Sequence, residues 1–542
     1  FIQDQLRGSP LLFFSQVLDG LGRDASRLAG VEHRLFGESV GVGFTALNPG
    51  LAEGVLHVEP DLADLENFRA DGIYLLPETV SDLPPIAGIL TEGEGNPLSH
   101  VQLLARNLGI PNVTVDASLR PILQAQDGKR VVMAVSKSGL VEIAVWDDRW
   151  KEVFEDSNSA QSVRIEPDLE KLDLSERSFI SLDELRAADS GRIVGPKAAK
   201  LGELRTHYPG KVSRGVAIPF GLFRQEALDQ PHTGGGTVFD WMVRNYRELE
   251  QMPATDPRRA EKAEAFRSEL YDIIAGTIPS ASFQAKLKSA MANAFGSANP
   301  PGVFVRSDTN VEDLAGFTGA GLNLTLPNVV GFENLMQSIA RVWASPFTAR
   351  AFAWRQSHMT QPEHVYTSIL LLESVASDKS GVLVTQDIDT GDRNVISVAV
   401  NDGLGGAVDG QAAESLRIPL DGSHVRILAT ATAPWRRVPD PAGDLQYLPA
   451  SGSDTVLQPS EIDQLIEFVR GLPEKFPPIT DDEGNPAPAD IEFGFLDGKL
   501  RLFQLRPFLE SKMARGIAYL HEMEARLADT HRILVDMSEV PK

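Results

Sequence analysis

The chain is organised around the run Asn96-Pro97-Leu98-Ser99-His100-Val101-Gln102-Leu103-Leu104-Ala105-Arg106-Asn107-Leu108-Gly109-Ile110-Pro111. Apolar residues recur in it at helical spacing, Pro97 and Ser99 suit the start of a helix, and Gly109 suits its end. The run therefore predicts a helix with His100 in its first turn. Backbone N–H groups and the positive end of the helix dipole favour an anion at that position, and a phosphoryl group on the imidazole is such an anion.

Taken alone, His100 has a more ordinary interpretation. A single histidine at a helix start is more often a capping or exposed residue than a phosphate carrier. The functional hypothesis therefore depends on motifs further along the chain.

The composition excludes several classes of protein. The 542 residues suggest about three or four domains. With 51 Lys and Arg against 75 Asp and Glu, the net charge is -24, which disfavours binding to nucleic acid or an anionic membrane. The absence of cysteine excludes disulfides and thiol chemistry and fits a cytoplasmic protein. We find no membrane span or signal peptide pattern, and the first residue, Phe1, leaves open whether further sequence precedes it.

The first third of the chain predicts a small strand-rich domain that carries His100. Residues 1–36 form an amphipathic helical lead-in. Residues 37–147 contain short apolar runs broken by turn residues, which indicates a compact α/β domain. Residues 148–178 are charged and lack apolar periodicity, so we expect a solvated linker that lets the small domain move.

A second domain is expected over residues 179–510, with a helical insert at about 225–295 and a C-terminal helix over 511–542. Lys197 follows a glycine at the start of a short helix, where it can reach a phosphate. The run from Val303 to Gly321 is an apolar strand that ends in Arg306 and passes into a loop with glycines at 316, 319 and 321. Such a loop lets backbone N–H groups approach phosphate oxygens, and the arginine fork can clamp them. Each feature alone is common.

A last motif places two carboxylates on one face of a strand. Asp490 and Glu492 alternate with apolar residues, and a carboxylate pair of this kind can hold magnesium. In the returning strand, Gln504 and Arg506 join the carboxylates if Phe503 is buried. A two-residue turn would break this parity, so we predict a three-residue loop, 496–498, with Gly498 at positive φ and Asp490 opposite Gln504. A hairpin with one solvated face is the alternative.

Together these motifs resemble a known group of enzymes. Val-Gly-x-Lys, Val-Arg-Ser-x-x-x-x-Glu-Asp, Trp-Ala-Ser, Gly-Leu-Gly and Asp-Ile-Glu-Phe…Gln-Leu-Arg-Pro resemble the nucleotide-binding domain of the pyruvate phosphate dikinase and phosphoenolpyruvate synthase superfamily. The Ser-His run resembles its phosphohistidine domain. The order, with the histidine domain first and no visible pyruvate barrel, is similar to that of the glucan water dikinases.

The resemblance implies an α/β (α+β) multidomain fold, in which a small swivelling phosphohistidine domain precedes an ATP-grasp domain. It implies an ATP-dependent dikinase that uses Mg2+, forms a phosphohistidine at His100 from the β-phosphate of ATP, and releases the γ-phosphate to water. The acceptor would be a glucan or a small molecule. By the same resemblance, the catalytic residues would be His100, Arg306 and Lys197, and Mg2+ would be held by Asp490, Glu492 and Gln504. The nucleotide would be bound by Lys197, Arg306, Gly316, Thr318, Gly319, Gly321, Glu373, Gln504 and Arg506.

Two alternatives remain open. The chain could be a component of a phosphoenolpyruvate synthase whose barrel is encoded elsewhere, or a regulatory ATP-binding module without turnover. Leu372 stands where relatives usually carry glutamine in the adenine-facing strand, which leaves the nucleotide preference open. The acceptor, the oligomeric state and the reach of the small domain are also open.

Overall fold

The structure is a computed structural model. It describes residues 10–41, 43–61, 68–69, 71–76, 86–92, 98–158, 165–253, 256–298, 300, 302–312, 324–409, 411–481, 484–509, 513–525 and 527.

Nine strands from the first part of the chain form one mixed sheet, in the order β2-β1-β9-β8-β4-β5-β6-β7-β3. Strands β4 to β7 run parallel to one another, and β8 and β3 flank them in the opposite direction. Seven of the strands, β3 to β9, were predicted from the apolar runs. The strands are β1 His33–Leu35, β2 Glu38–Gly41, β3 Phe44–Asn48, β4 Gly50–His57, β5 Gly72–Leu76, β6 Gly88–Thr91, β7 Asn112–Val115, β8 Arg130–Val135 and β9 Val141–Val145.

The predicted histidine helix is confirmed over His100–Leu108. We label it α2, because α1 at Pro10–Leu28 precedes it in the described residues. Gly109 ends it with a left-handed backbone, φ 67°. The Asn48 side chain donates to two carbonyl oxygens at this end, those of Ala105 at 2.9 Å and Ile110 at 2.7 Å. These bonds fix the end of α2 to the nine-stranded sheet.

Two helices far apart in sequence lie against the same sheet. The two are α4 (Asp148–Asn158), which occupies the first part of the predicted linker, and α13 (Ala518–Glu524), the last described helix. A short helix, α3 (Arg120–Gln124), precedes α4. The Trp150 ring of α4 meets the Tyr519 ring of α13, with centroids 5.0 Å apart. Both helices belong to a buried apolar cluster that includes Val132 of β8. The start of the predicted linker is therefore packed, not solvated.

Two further antiparallel sheets follow. The first has the order β10-β11-β14-β12-β13 and the second β18-β17-β16-β15-β21-β22, while β19 and β20 form a separate pair. The strands are β10 Ile180–Ser181, β11 Gly215–Ile218, β12 Val303–Thr309, β13 Thr325–Val329, β14 Thr367–Glu373, β15 Lys379–Val384, β16 Val395–Asp402, β17 Glu414–Pro419, β18 Arg426–Ala429, β19 Trp435–Pro439, β20 Leu445–Pro449, β21 Ala489–Leu496 and β22 Lys499–Pro507.

Helices cover both of these sheets. They are α5 Pro196–His207, α6 Phe220–Phe223, α7 Val238–Gln251, α8 Pro257–Ala275, α9 Ala281–Phe295, α10 Phe332–Ala344, α11 Ala349–His358 and α12 Pro459–Lys475. Helices α7, α8 and α9 are the predicted helical insert. Trp343 and Trp354 lie in the core, at 0% and 2% exposed. The α/β multidomain fold with several sheets is thus confirmed.

In the described ranges, every helix is too short or too polar to cross a lipid bilayer.

The contact between α4 and α13 can be tested by truncating Trp150, which is 1% exposed. Trp150→Ala should lower the free energy of unfolding by about 3–5 kcal/mol, because it leaves a large cavity beside Tyr519. Urea denaturation followed by near-ultraviolet circular dichroism measures this loss. Lys151→Ala, on the exposed side of the same helix, should change it by less than about 0.5 kcal/mol. Equal effects of the two substitutions would contradict the packing described.

Candidate active site

Arg306 connects the five-stranded sheet to the six-stranded sheet. Its side chain leaves β12 and reaches β22, where Nη1 donates to the Phe503 carbonyl oxygen at 2.7 Å and Nη2 to the Gln504 Oε1 at 2.6 Å. The same Nη2 lies 3.4 Å from the Glu492 Oε2. Nε of Arg306 is buried without a hydrogen-bond partner within the described part of the chain. The guanidinium is therefore held in place from the far side of the cleft between the sheets.

The hairpin of β21 and β22 differs from the sequence prediction. Leu496 pairs with Lys499, so the loop has two residues, Asp497 and Gly498, with φ 51° and 68°. This is the turn that an Asp-Gly pair favours, because its twist matches that of the strands. The positive φ at Gly498 is confirmed. The three-residue loop is wrong, and so is the pairing of Asp490 with Gln504: Asp490 lies opposite Arg506.

A β-bulge restores the parity that the tight turn would break. Glu492 pairs with Gln504 and Phe493 with Leu502, so that Phe503 is the extra residue. The prediction that Phe503 joins the buried face is also wrong, because Leu502 takes that place and Phe503 stays partly exposed. The bulge leaves both carboxylates on the face of Gln504 and Arg506, and it turns the Phe503 carbonyl towards Arg306.

Gly494 makes room for the bulge. A Cβ atom at this position would lie 2.7 Å from the Phe503 Cε2 and 2.8 Å from the Lys379 carbonyl oxygen, both closer than real Cβ contacts. Any larger residue would therefore push the Phe503 ring away from β21. The glycine thus supports the position of the carbonyl that holds Arg306.

The two carboxylates lie beside basic side chains and are mostly buried. The Arg506 Nε donates to the Asp490 Oδ2 at 2.6 Å, and these residues are 6% and 3% exposed. Glu492 has a side chain that is 16% exposed. In the parts of the chain that the structure describes, there is no group of three or more acidic or histidine side chains that could hold a metal ion unaided. Two carboxylates and an amide oxygen nevertheless suit Mg2+, which commonly takes its remaining ligands from water and substrate phosphates.

Lys197 faces the cleft from the first turn of α5. Its Nζ donates to the Ser307 carbonyl oxygen at 3.0 Å and forms an ion pair with Glu312. The Lys197 side chain is 16% exposed and that of Glu312 3%. The lysine is thus tied to the residues that follow Arg306 in β12, which brings the two predicted phosphate-binding cations to one strand.

The other residues predicted to bind nucleotide, Glu373 and the glycine loop, have no described contact with Arg306 or Lys197. Glu373, at the end of β14, is ion-paired with Arg214, whose Nε donates to Oε2 at 3.1 Å. Its neighbour Leu372 is 4% exposed and belongs to the core that also contains Val398. The glycine-loop residues Gly316, Thr318, Gly319 and Gly321 lie outside the described residues.

The helix that carries His100 packs on the six-stranded sheet. The backbone of His100 begins α2, but its side chain lies outside the description. Leu98 and Leu103, which flank it, share one buried apolar cluster with Val382 and Val384 of β15. These valines pair with Glu492 and Asp490 across the sheet. Residues directly opposite in an antiparallel pair point to the same face, so α2 lies on the face that carries the two carboxylates.

Sequence reasoning missed several residues of this site. Glu312 was part of the quoted Arg-Ser-x-x-x-x-Glu-Asp pattern, but no role was assigned to it. Asp308 follows Arg306 and Ser307 in β12, but no role was assigned to it, because its contacts with α5 gave no sequence signal. Phe503 and Gly494 were missed because a bulge depends on the fit between strands, which local sequence does not show.

Two facing sheets with cations and carboxylates between them define a nucleotide-binding domain of the ATP-grasp type. The chain matches the family model described as pyruvate phosphate dikinase, AMP/ATP-binding domain, over residues 191–524. This range covers more than half of the 542 residues, and the chain belongs to this family. The range includes Lys197, Arg306 and the β21–β22 hairpin, and it begins after His100.

Curated relatives carry two kinds of name. The chain is 28% identical over 235 residues to a rifampicin phosphotransferase of Streptomyces sp, covering 43% of this chain and 25% of the relative. It is 26% identical over 337 residues to a probable phosphoenolpyruvate synthase of Methanothermobacter thermautotrophicus, covering 61% and 46%. A phosphoenolpyruvate synthase of Pyrococcus furiosus is 38% identical over 106 residues, 20% of this chain and 13% of the relative. The chain spans less than half the length of these relatives.

The support that Gly494 gives to Arg306 can be tested by Gly494→Ala. The added methyl group should displace Phe503, remove its carbonyl from Arg306 and weaken MgATP binding by roughly 10-fold or more, since hydrogen bonds to charged groups contribute about 1.5–3 kcal/mol. Isothermal titration calorimetry gives the dissociation constant. Gly471→Ala is the control, because a Cβ atom there lies at an ordinary 3.7 Å from the Tyr208 hydroxyl. Unchanged affinity in Gly494→Ala would show that the bulge does not position Arg306.

Proposed function

We propose that the chain is an ATP-dependent dikinase, a phosphotransferase that forms a phosphohistidine at His100. The β-phosphate of ATP would pass through this histidine to an acceptor, and the γ-phosphate would go to water. Membership in the AMP/ATP-binding family supports the nucleotide, and the names of the relatives support phosphoryl transfer.

The packing of α2 is the observation on which the histidine assignment depends. Leu98 and Leu103 lie in one cluster with the two valines that pair with Glu492 and Asp490. The start of α2 is therefore held over the face of the sheet where the carboxylates and Arg306 converge. A nucleophile must come within contact distance of the phosphorus that it attacks, and the packing of α2 on this face supports His100 in that role.

The cations of the cleft suit the phosphates of ATP. Arg306 offers a planar fork fixed by Gln504 and the Phe503 carbonyl, and Lys197 offers a point charge held against the residue that follows Arg306 in β12. Asp490, Glu492 and Gln504 would hold Mg2+, which supplies charge neutralisation on the phosphates when bound. Fixed donors of this kind stabilise the charge that develops during phosphoryl transfer.

The proposed chemistry has three transfers. A neutral imidazole nitrogen of His100 attacks the β-phosphorus of ATP, the bond from that phosphorus to the oxygen bridging to the α-phosphate breaks, and AMP leaves with that oxygen. Water then takes the γ-phosphoryl group as inorganic phosphate. The phosphoryl group left on His100 passes to an acceptor hydroxyl or enol oxygen, which restores the imidazole.

The acceptor is open at the level of chemical class. The relatives named as rifampicin phosphotransferases and phosphoenolpyruvate synthases differ in what they phosphorylate or produce, so family membership does not select one. We propose a hydroxyl-bearing acceptor and would test glucans first, because the domain order resembles that of the glucan water dikinases. A synthase component that acts with a separate barrel is the second candidate. A screen of glucans, pyruvate and small alcohols with the phosphorylated protein distinguishes them.

The histidine assignment is tested with ATP labelled at the β-phosphate. In the presence of magnesium the wild-type protein should become labelled and release AMP, and His100→Ala should lose at least about 1,000-fold in labelling rate because no nucleophile remains. His424→Ala, which removes an exposed histidine, should label normally. Labelling of His100→Ala at the wild-type rate would rule out His100, and ATP binding without AMP release would favour a regulatory module.

The packing of α2 is tested by Leu103→Asp. A carboxylate in the cluster with Val382 and Val384 should disfavour docking, because burying an unpaired charge is costly. We expect labelling to slow by about 10-fold or more while the dissociation constant for MgATP stays within about twofold. Ile122→Asp places the same charge on an exposed position of the same sheet unit and should leave both unchanged. If Leu103→Asp labels at the wild-type rate, α2 does not deliver His100 by this contact.

A further inference from the structure

Asp308 lies at the join between β12 and α5. Its Oδ1 accepts a hydrogen bond from the backbone N–H of Lys197, and its Oδ2 accepts one from that of Ala198, both at 2.9 Å. The residue is 0% exposed. Both oxygens of one buried carboxylate are thus used to hold the first turn of the helix that presents Lys197.

The backbone around Asp308 is held as well. The Ser368 hydroxyl of β14 donates to the Asp308 carbonyl oxygen at 2.7 Å and accepts from the N–H of Gly195 at 2.9 Å. A Cβ atom on Gly195 would overlap the Asp308 carboxylate, so the close approach of α5 to β12 requires glycine there. Three separate segments, β12, β14 and the start of α5, therefore meet at Asp308.

The Lys197 side chain depends on this arrangement. Its Nζ contacts the Ser307 carbonyl oxygen, one residue before Asp308, and the carboxylate of Glu312, four residues after it. The backbone of Lys197 and its ammonium group are thus both attached to one short segment of β12 and the turn that follows. A shift of the α5 first turn would therefore also move the ammonium group relative to this segment.

We propose that Asp308 is a positioning residue for Lys197, and that its carboxylate, by fixing the first turn of α5, places the lysine for phosphate binding. This proposal rests on the proposed function and adds to it a residue that does not touch the nucleotide. Asparagine has nearly the same size, but it cannot accept one N–H bond on each terminal atom, because its amide nitrogen donates. It therefore breaks the pair of hydrogen bonds from Asp308 to Lys197 and Ala198, called the bracket below, with minimal change in volume.

The bracket should respond to pH. Burial, with the nearby charge of Glu312, raises the pKa of Asp308 to about 7, against a lowering effect of Lys197 and the two backbone N–H groups. Strand β14 contributes the neutral Ser368 hydroxyl at this point. Below about pH 7 the carboxyl group is protonated, and its hydroxyl oxygen becomes a donor and a weaker acceptor for the helix N–H group. The bracket therefore has its full strength only above about pH 7.

The effect on stability has the opposite sign. Since the folded protein binds this proton more tightly than the unfolded chain does, the stabilisation from the neutral form is fully present below the ordinary carboxyl pKa. It is lost as the pH rises through about 7. The ionised form of Asp308, which holds Lys197 in place, is therefore the form in which the folded protein is less stable. Because the buried carboxylate costs stability, its presence indicates a functional reason.

The experiment compares MgATP dissociation constants of the full chain and Asp308→Asn by calorimetry between pH 5.5 and 8.5. The affinity ratio of wild type to variant should rise from about 1 to at least about 10 as the pH passes through 7. Titration of ATP itself cancels in this ratio. Asp256→Asn, at the start of α8, is the matched control, because Asp256 also accepts a backbone N–H at a helix N-terminus. Its ratio should stay near 1 throughout.

Hydrogen exchange at the amides of Lys197 and Ala198 gives a readout that needs no nucleotide. At pH 8 these amides should exchange at least about 10-fold faster in Asp308→Asn than in wild type, and the difference should shrink at pH 6. Equal exchange and a flat affinity ratio would overturn the proposal while wild-type ATP binding stays intact. Failure of wild type to bind ATP would instead overturn the proposed function, and the exchange data would still decide whether Asp308 holds the helix.

Discussion

The bridge from Arg306 to β22 is the interaction on which the cleft depends. An arginine on the five-stranded sheet donates to a carbonyl and an amide oxygen on the six-stranded sheet, at 2.7 and 2.6 Å. A guanidinium can do this because it is planar and offers several donors in fixed directions. The two sheets are thereby held at a separation at which their polar side chains face each other. The charged residues around Arg306 derive their relative positions from this contact.

Each cation of the cleft has an acidic partner on the protein. Lys197 is paired with Glu312, Arg506 with Asp490, and Arg306 lies beside Glu492. In a protein with a net charge of -24, such pairing keeps the basic groups from a cost of isolated burial. Under the proposed function, a polyphosphate that enters with a divalent cation would bring both charges at once and would replace these partners on both sides. Such binding would favour the metal complex of a nucleotide over the free anion.

Short sequence patterns were enough to predict many of the strands and the helix that carries His100. Seven strands and helix α2 were expected from short apolar runs and from Gly109, because these signals act within a few residues. The Asp-Gly pair prefers a two-residue turn, which by itself would put Gln504 and the carboxylates on different faces of the hairpin. The bulge at Phe503 corrects this, and it could not be predicted because it depends on contacts of Phe503 with Arg306 and Gly494. For the same reason Glu373 was expected to be available, whereas Arg214 of the segment before β11 pairs with it. Contacts between segments far apart in sequence, including those of Asp308, could not be predicted, because no pattern of neighbouring residues indicates them.

The return of α13 to the nine-stranded sheet has a topological consequence. Because Tyr519 and Leu520 pack with Trp150 and Val132, the unit that carries His100 is built from both sides of the nucleotide-binding region in sequence. That region is connected to the unit at two crossings, one after α4 and one before α13. If the unit moves, as the proposed function requires, two attachments would favour rotation about the line that joins them. Any reorientation of His100 relative to the cleft would then follow a single arc.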